Sequence, residues 1–259
     1  MNKLLNHCGA QSVDIEQIYG LADPVPYTDT HYPIRHDDFI ELAKTTLKQG
    51  GYEIATEEYS LIQMEKTDNM FGLLTLRNGH DDVARVVGLR NSGSMHFLAQ
   101  LGAGDQVFVC DNLVFTARII VGRKHTKNIM RDLPTQMNSA IHRLGEEFRK
   151  QEGRREIYKN AELSEPAAHD IMIRTMDLPK PQGIPGSKMT AWVNEYRNPS
   201  HAEFLTGTAW GLQNAFTEVA KGWNFDTMQN RTEGLIQVMD QSLNFEEKYL
   251  DWDMTTEVN

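Results

Sequence analysis

DQVFVCDNLVFTARIIVGRKHTKNIMR, residues 105–131, changes character halfway along. Its first part (Val107, Phe108, Val109, then Leu113, Val114, Phe115, then Ile119, Ile120, Val121) is rich in the β-branched and aromatic side chains that suit a buried strand. Asp111 and Asn112 lie inside this apolar run with Cys110 before them, so the CDN segment reads as a turn, a bulge or buried polar groups with specific partners. The region 106–121 is therefore one central strand or a strand pair. The second part switches to Arg123, Lys124, His125, Lys127 and Arg131. A strand that delivers cations at its exit can hold a binding site on a rigid element.

Upstream, Phe39, Ile40, Ala43 and Leu47 repeat at helical spacing after the acidic pair Asp37-Asp38 and before Gly50-Gly51, which predicts a helix over 36–49. Tyr52–Lys66 alternates as one strand or a bulged strand, and Met70–Arg77 and Asp82–Leu89 read as two more around the hairpin signal Asn78-Gly79. Arg90-Asn91-Ser92-Gly93-Ser94 interrupts the pattern; Met95–Leu101 fits helix or strand, and Gly102 and Gly104 flank a turn. Residues 1–35, with three prolines between Asp23 and Ile34, read as an extended leader.

Downstream, Lys127–Lys159 is the longest helical candidate, with Pro134 marking a break or a new first turn. Ala161–Met176 is a further helix entered through Ser164-Glu165-Pro166, and Leu178–Lys188 reads as a linker. Ser200 is the expected cap of a helix over 201–223. Residues 224–234 then read as a connector, 235–249 as a final helix, and the acidic tail from Asp251 as loose. The expected fold is α+β: an antiparallel sheet over 52–121 flanked by helices, with a helical C-terminal part. Its divisions are a leader (1–35), an α+β core (36–160) and helices with an acidic tail (161–259).

The chain has 259 residues, 40% hydrophobic and 24% charged, the balance of an ordinary globular protein with room for a sizeable core. No run reaches the roughly 18 apolar residues of a membrane helix, and MNKLLNHCGAQSVDIEQ lacks the apolar centre of a secretory signal, so a cytoplasmic protein without membrane contact is expected. Cys8 and Cys110 make no disulfide framework. A net charge of −10 speaks against a generic nucleic-acid binder, but the charge is unevenly spread. Residues 112–160 hold 11 Lys/Arg against 5 Asp/Glu, between flanks with 8 against 16 and 7 against 15. That basic middle is either a partner surface or the solvated face of a charged helix.

Several residues invite chemistry, each with a plain structural alternative. Arg90, Asn91 and Ser92 offer a cation, an amide and a hydroxyl for gripping phosphate, or they simply shape a turn. Cys110 with His125 or His96 as base would make a nucleophile, yet a cysteine in an apolar strand is ordinarily an inert small hydrophobe. Arg123, Lys124, His125 and Lys127 could contact phosphates, or pair with this chain's own acidic flanks or with a second subunit. Trp210, Phe216 and Trp223 could stack on bases, or form core. There is no metal-binding His or Cys spacing, phosphate-binding loop or dinucleotide fingerprint, so neither a metal nor a cofactor is expected and catalysis is not the leading expectation.

Pro24–Ile40 (PVPYTDTHYPIRHDDFI), GLRNS at 88–92, VFVCDNLVF at 107–115, RKHT at 123–126 and TAWGLQNAFTE at 208–218 together resemble the phage/plasmid-like family known as domain of unknown function 932. The resemblance runs from about residue 24 to about residue 220. It departs at Gly93-Ser94, where a polar pair such as His-Asp is expected. It implies a bacteriophage, prophage or plasmid origin, hence the host cytoplasm, and no established activity. The helix–meander–strand–helix order is also similar in topology to phage single-strand annealing proteins, an analogy of fold alone. The functional expectation is an oligomeric, non-enzymatic nucleic-acid-binding protein, with single-stranded DNA the foremost ligand. Arg90, Asn91, Ser92, Arg123, Lys124, His125 and Lys127 would be the contacts. The alternative is a protein that blocks a host defence or replication complex through its acidic flanks.

Overall fold

A computed structural model describes residues 10–63, 68–77, 83–95, 98–107, 112–114, 119–201, 204, 206–221, 223 and 225–256. The chain divides into two compact units, 1–106 with 117–147, and 107–116 with 148–259.

In the first unit, β1 (Gln11–Val13) and α1 (Ile15–Tyr19) precede α2 (His36–Gln49). The meander β2 (Ile54–Ile62), β3 (Asn69–Leu76) and β4 (Val83–Ser92) follows, then β5 (Ala99–Val107). After β6 (Asn112–Val114), which belongs to the second unit, the chain returns as β7 (Ile119–Arg123) and α3 (Ile129–His142). The strands of this unit pair in the order β1-β2-β3-β4-β5-β7 in an antiparallel sheet, so the α+β class expected from the sequence is the one observed. β3 is buried along almost its whole length, as its unbroken MFGLLTL demands, and β2 carries an irregularity between Ile54 and Thr56.

The helices cover the sheet as their apolar stripes dictate. Phe39, Ile40, Ala43 and Leu47 of α2, and Leu133, Met137, Ala140 and Ile141 of α3, are all buried. The ends of α2 and α3 meet at Gly50, where a Cβ would lie 2.5 Å from Cγ2 of Ile141. That distance leaves no room for a side chain.

Three boundaries differ from expectation. β4 runs through Arg90, Asn91 and Ser92 instead of ending before them. β5 contains Gly102 and Gly104, which were expected to flank a turn. Pro134 lies inside α3, and the helix breaks instead at Arg143, before α4 (Leu144–Asn160). The leader is also not wholly extended, since Ile15–Tyr19 is helical, and its strand Gln11–Val13 joins the sheet by pairing with Tyr59–Leu61.

The second unit is helical apart from β6: α4, which enters it from the first, α5 (Glu165–Met176), α6 (Met189–Arg197), α7 (Ala209–Ala220), α8 (Phe225–Leu243) and α9 (Phe245–Thr256). The division thus falls at 147/148, within α4, where the sequence reading placed it at 160/161. Ser164 caps α5 as expected. The expected helix over 201–223 is instead α7, capped by Thr208, whose Oγ1 accepts from the Gly211 amide at 3.0 Å. Ser200 is held by Glu195. Residues 225–234 are helical, not a connector.

Leu178–Lys188 folds back on its own unit: Ile184 is buried, and a Cβ on Gly234 of α8 would meet the Leu178 and Gln182 side chains at 2.8 and 2.9 Å. The tail is likewise packed to at least Asp253, with Tyr249 stacked on Trp252 above Gly153, where a Cβ would sit 2.7 Å from both rings. Trp210, Phe216 and Trp223 are core, and Phe216 meets Trp192 and Trp223 edge-to-face at 5.4 Å.

Candidate functional site

The exit of β7 is a compact turn. Thr126 donates to the Lys124 carbonyl at 2.8 Å and Ile129 to that of Thr126 at 2.9 Å, which folds residues 124–128 tightly ahead of α3. Lys124 and Lys127 are thereby exposed, and no carboxylate partner for either is found among the described residues. Arg123 and Arg131 converge on one carboxylate, Asp132. The Arg131 guanidinium first, and Arg123 with it, hold that carboxyl below its ordinary value. Residues 123–143 contain five Lys/Arg (Arg123, Lys124, Lys127, Arg131, Arg143) and Asp132 as their one acidic residue. The positive end of the α3 dipole adds to this charge. The cationic segment lies on one turn and one helix.

The other expected contacts do not join it. Arg90 bonds Gln100 on the neighbouring strand, and Gln100 faces Gly122 across the β5–β7 pair. Side chains alternate along strands, so Arg90 lies on the sheet face opposite to Arg123, which pairs with Ala99. Asn91, on the Arg123 face, is buried; its Nδ2 donates to the Ile34 carbonyl at 3.1 Å and meets His36 Nδ1 at 2.9 Å. Ser92 is buried too, donating to Asn69 Oδ1 at 2.7 Å, an acceptor shared with Ser94. These two serines close the end of the β3–β4 ladder. The expectation that Asn91 and Ser92 are offered to a ligand is thus corrected: both complete polar bonds of the interior.

His125 is a further correction. It was expected among the displayed cations, but its ring is buried, with both nitrogens lacking a hydrogen-bond partner, and packs edge-to-face on His31 at 5.8 Å between centroids. Burial first, and then the neighbouring imidazoles, lower its pKa to about 4, so it is neutral at physiological pH. His36 behaves alike. Its Nε2 donates to the Asp68 carbonyl, which can only accept, so Nδ1 must be the acceptor from Asn91. Desolvation lowers this pKa to about 4 as well.

His31, His36 and His125 thus tie the leader to the sheet and to the β7–α3 turn, with the Tyr32 amide donating to the His125 carbonyl at 2.9 Å. No composition signal pointed to this cluster; only the spacing of three histidines over 94 residues of chain was visible.

In the second unit the basic middle of the sequence is largely neutralised within the chain. Arg149 pairs with Asp253, Lys150 with Glu246, and Arg154 with Asp240, which also accepts from the Tyr158 hydroxyl at 2.6 Å. Arg154 lies 4.5 Å from the Phe245 ring centre. Here the charge asymmetry is a set of contacts between α4 and the acidic helices α8 and α9.

Cys110, Asp111 and His96 lie outside the described residues, and Asn112 opens β6. Among the described residues, no group of three or more His, Cys, Asp or Glu could hold a metal ion, and no helix is long and apolar enough to cross a membrane. No family model, no curated protein and no solved structure matches the chain.

Proposed function

We propose that this is a nucleic-acid-binding protein that grips the phosphate backbone with the β7–α3 turn and the exposed side of α3. The observation that carries the reading is the excess of five cations over a single carboxylate across residues 123–143, with Lys124 and Lys127 exposed. The phosphate contacts would come from Lys124 and Lys127, joined by Arg131 and Arg143, while Arg123 orients Asp132. So few contacts per chain make one site weak, and tight binding then requires several copies along one strand, which is the reason to propose a homo-oligomer. The resemblance to domain of unknown function 932 adds a bacteriophage or plasmid setting.

The alternative, docking of the acidic flanks on a host complex, is weakened because Asp240, Glu246 and Asp253 already pair with α4.

Fluorescence anisotropy with labelled nucleic acid over a salt series tests the proposal. Affinity should fall steeply with salt, and the double variant Lys124→Ala/Lys127→Ala should flatten the log–log slope by about 1.4 on single strands or about 1.8 on duplex. Salt-insensitive or absent binding, or an unchanged slope in the variant, rules it out. The mass in solution with and without nucleic acid tests the oligomer.

A further inference from the structure

Phosphate contacts alone do not choose between duplex and single strand, because both present the same charged backbone. The leader supplies a group that can choose. Tyr32 is followed by Pro33, which biases its backbone to the extended region. His31 and Ile34 on either side of this dipeptide are buried, while Tyr32 is 45% exposed. Its amide donates to the His125 carbonyl at 2.9 Å, so the ring leaves the surface beside the turn that carries Lys124 and Lys127.

The position is rigidly braced. His31 accepts from the Tyr27 amide at 3.1 Å and packs against both Tyr27 and His125, and Asn91 holds the Ile34 carbonyl. The Tyr32 hydroxyl and ring have no partner among the described residues. Of the leader's carboxylates, Asp23 pairs with Arg35, which leaves Asp29 as the exposed anion nearest in sequence. An exposed aromatic is common by itself. One fastened by its own main chain to a cationic turn is the arrangement that binds single strands: the cations follow the phosphates and the ring stacks on a base.

Resting on the nucleic-acid reading above, we infer that Tyr32 is a base-stacking residue that makes the site selective for single-stranded nucleic acid. Duplex bases already stack on one another and offer the ring no face, whereas an unpaired base of any identity does. The selectivity is therefore for strand state and not for sequence.

The test compares wild type, Tyr32→Ala and Tyr32→Phe on labelled oligothymidylate, oligouridylate and a hairpin duplex, each over a salt series. Tyr32→Ala keeps the amide that bonds His125, and circular dichroism would verify its fold. The expected result is a roughly thirtyfold loss of affinity for one or both single strands in Tyr32→Ala, the mid-range effect of losing one stacked base, with the salt slope unchanged. Tyr32→Phe should bind as wild type does, and the duplex affinity should be the same in all three. Comparison of the thymidylate and uridylate arms assigns the ligand to DNA, RNA or both. Salt-dependent binding of single strands that Tyr32→Ala leaves unaltered overturns the stacking role while the phosphate contacts stand. Absence of binding to every probe overturns both.

Discussion

Acidification from pH 7 to pH 5 should selectively weaken the first unit, because its interior holds imidazoles that fold as neutral groups. His36 and His125 both have folded pKa values near 4, against an ordinary 6.5. His31 is shifted in the same direction by burial. A folded pKa below the unfolded one means that the unfolded chain binds more protons through the window between the two. Stability is therefore complete above pH 6.5 and is lost as pH falls towards 4.

At pH 5 each of His36 and His125 costs about 2 kcal/mol, so the pair costs about 4 kcal/mol and unfolding takes up about two protons. That is a large part of the about 5–15 kcal/mol that holds an ordinary domain together. Local groups modulate His36 without reversing the sign: the Asp68 carbonyl and Asp37 raise its pKa, and Arg35 lowers it.

The assay is urea unfolding by far-ultraviolet circular dichroism at several pH values down to 5, above the range where Asp and Glu titrate. Tryptophan fluorescence gives an internal comparison, since Trp192, Trp210, Trp223 and Trp252 all belong to the second unit. The variant His125→Phe should roughly halve the pH slope. It should not lower stability at pH 7, because it removes two buried nitrogens that have no partner. Equal stability at pH 7 and pH 5, or a full slope retained in His125→Phe, refutes the account of the cluster.

Two further outcomes follow from buried polar contacts. Asp240→Ala leaves Arg154 and the Tyr158 hydroxyl buried without their acceptor. It should destabilise the second unit by about 3–5 kcal/mol, read as a lower urea midpoint in tryptophan fluorescence. Asn91→Ala removes the donor to the Ile34 carbonyl and to His36 Nδ1 at a cost of about 1–3 kcal/mol. Hydrogen exchange should then quicken in peptides spanning residues 31–40; unaltered protection there would mean that Asn91 does not hold the leader.

Local pattern carried most of the first unit into view. The stripe of Phe39, Ile40, Ala43 and Leu47 and the alternation of 52–89 depend on neighbours within a few residues, so they are readable without knowledge of the rest. The same logic failed at Arg90-Asn91-Ser92. Polar side chains suggest a turn, yet these extend a strand because Asn69, His36, Ile34 and Gln100 meet them from 10 to 57 positions away. It failed again at 225–234, where polar residues lie on a helix whose Gly234 packs against Leu178 and Gln182 of the folded-back loop.

By itself, the amino-acid order determined the α+β class, the sheet strands with their apolar faces, and a run of cations after Val121. Which cations remain available was a tertiary decision. A charge is neutralised by whatever carboxylate the fold brings within a few ångströms: Asp240, Glu246 and Asp253, all distant in sequence, for α4, and the nearby Asp132 for Arg123. The burial of His125 and the outward turn of Tyr32 were decided in the same way, by two segments nearly a hundred residues apart meeting through a main-chain hydrogen bond and the His31–His125 ring contact.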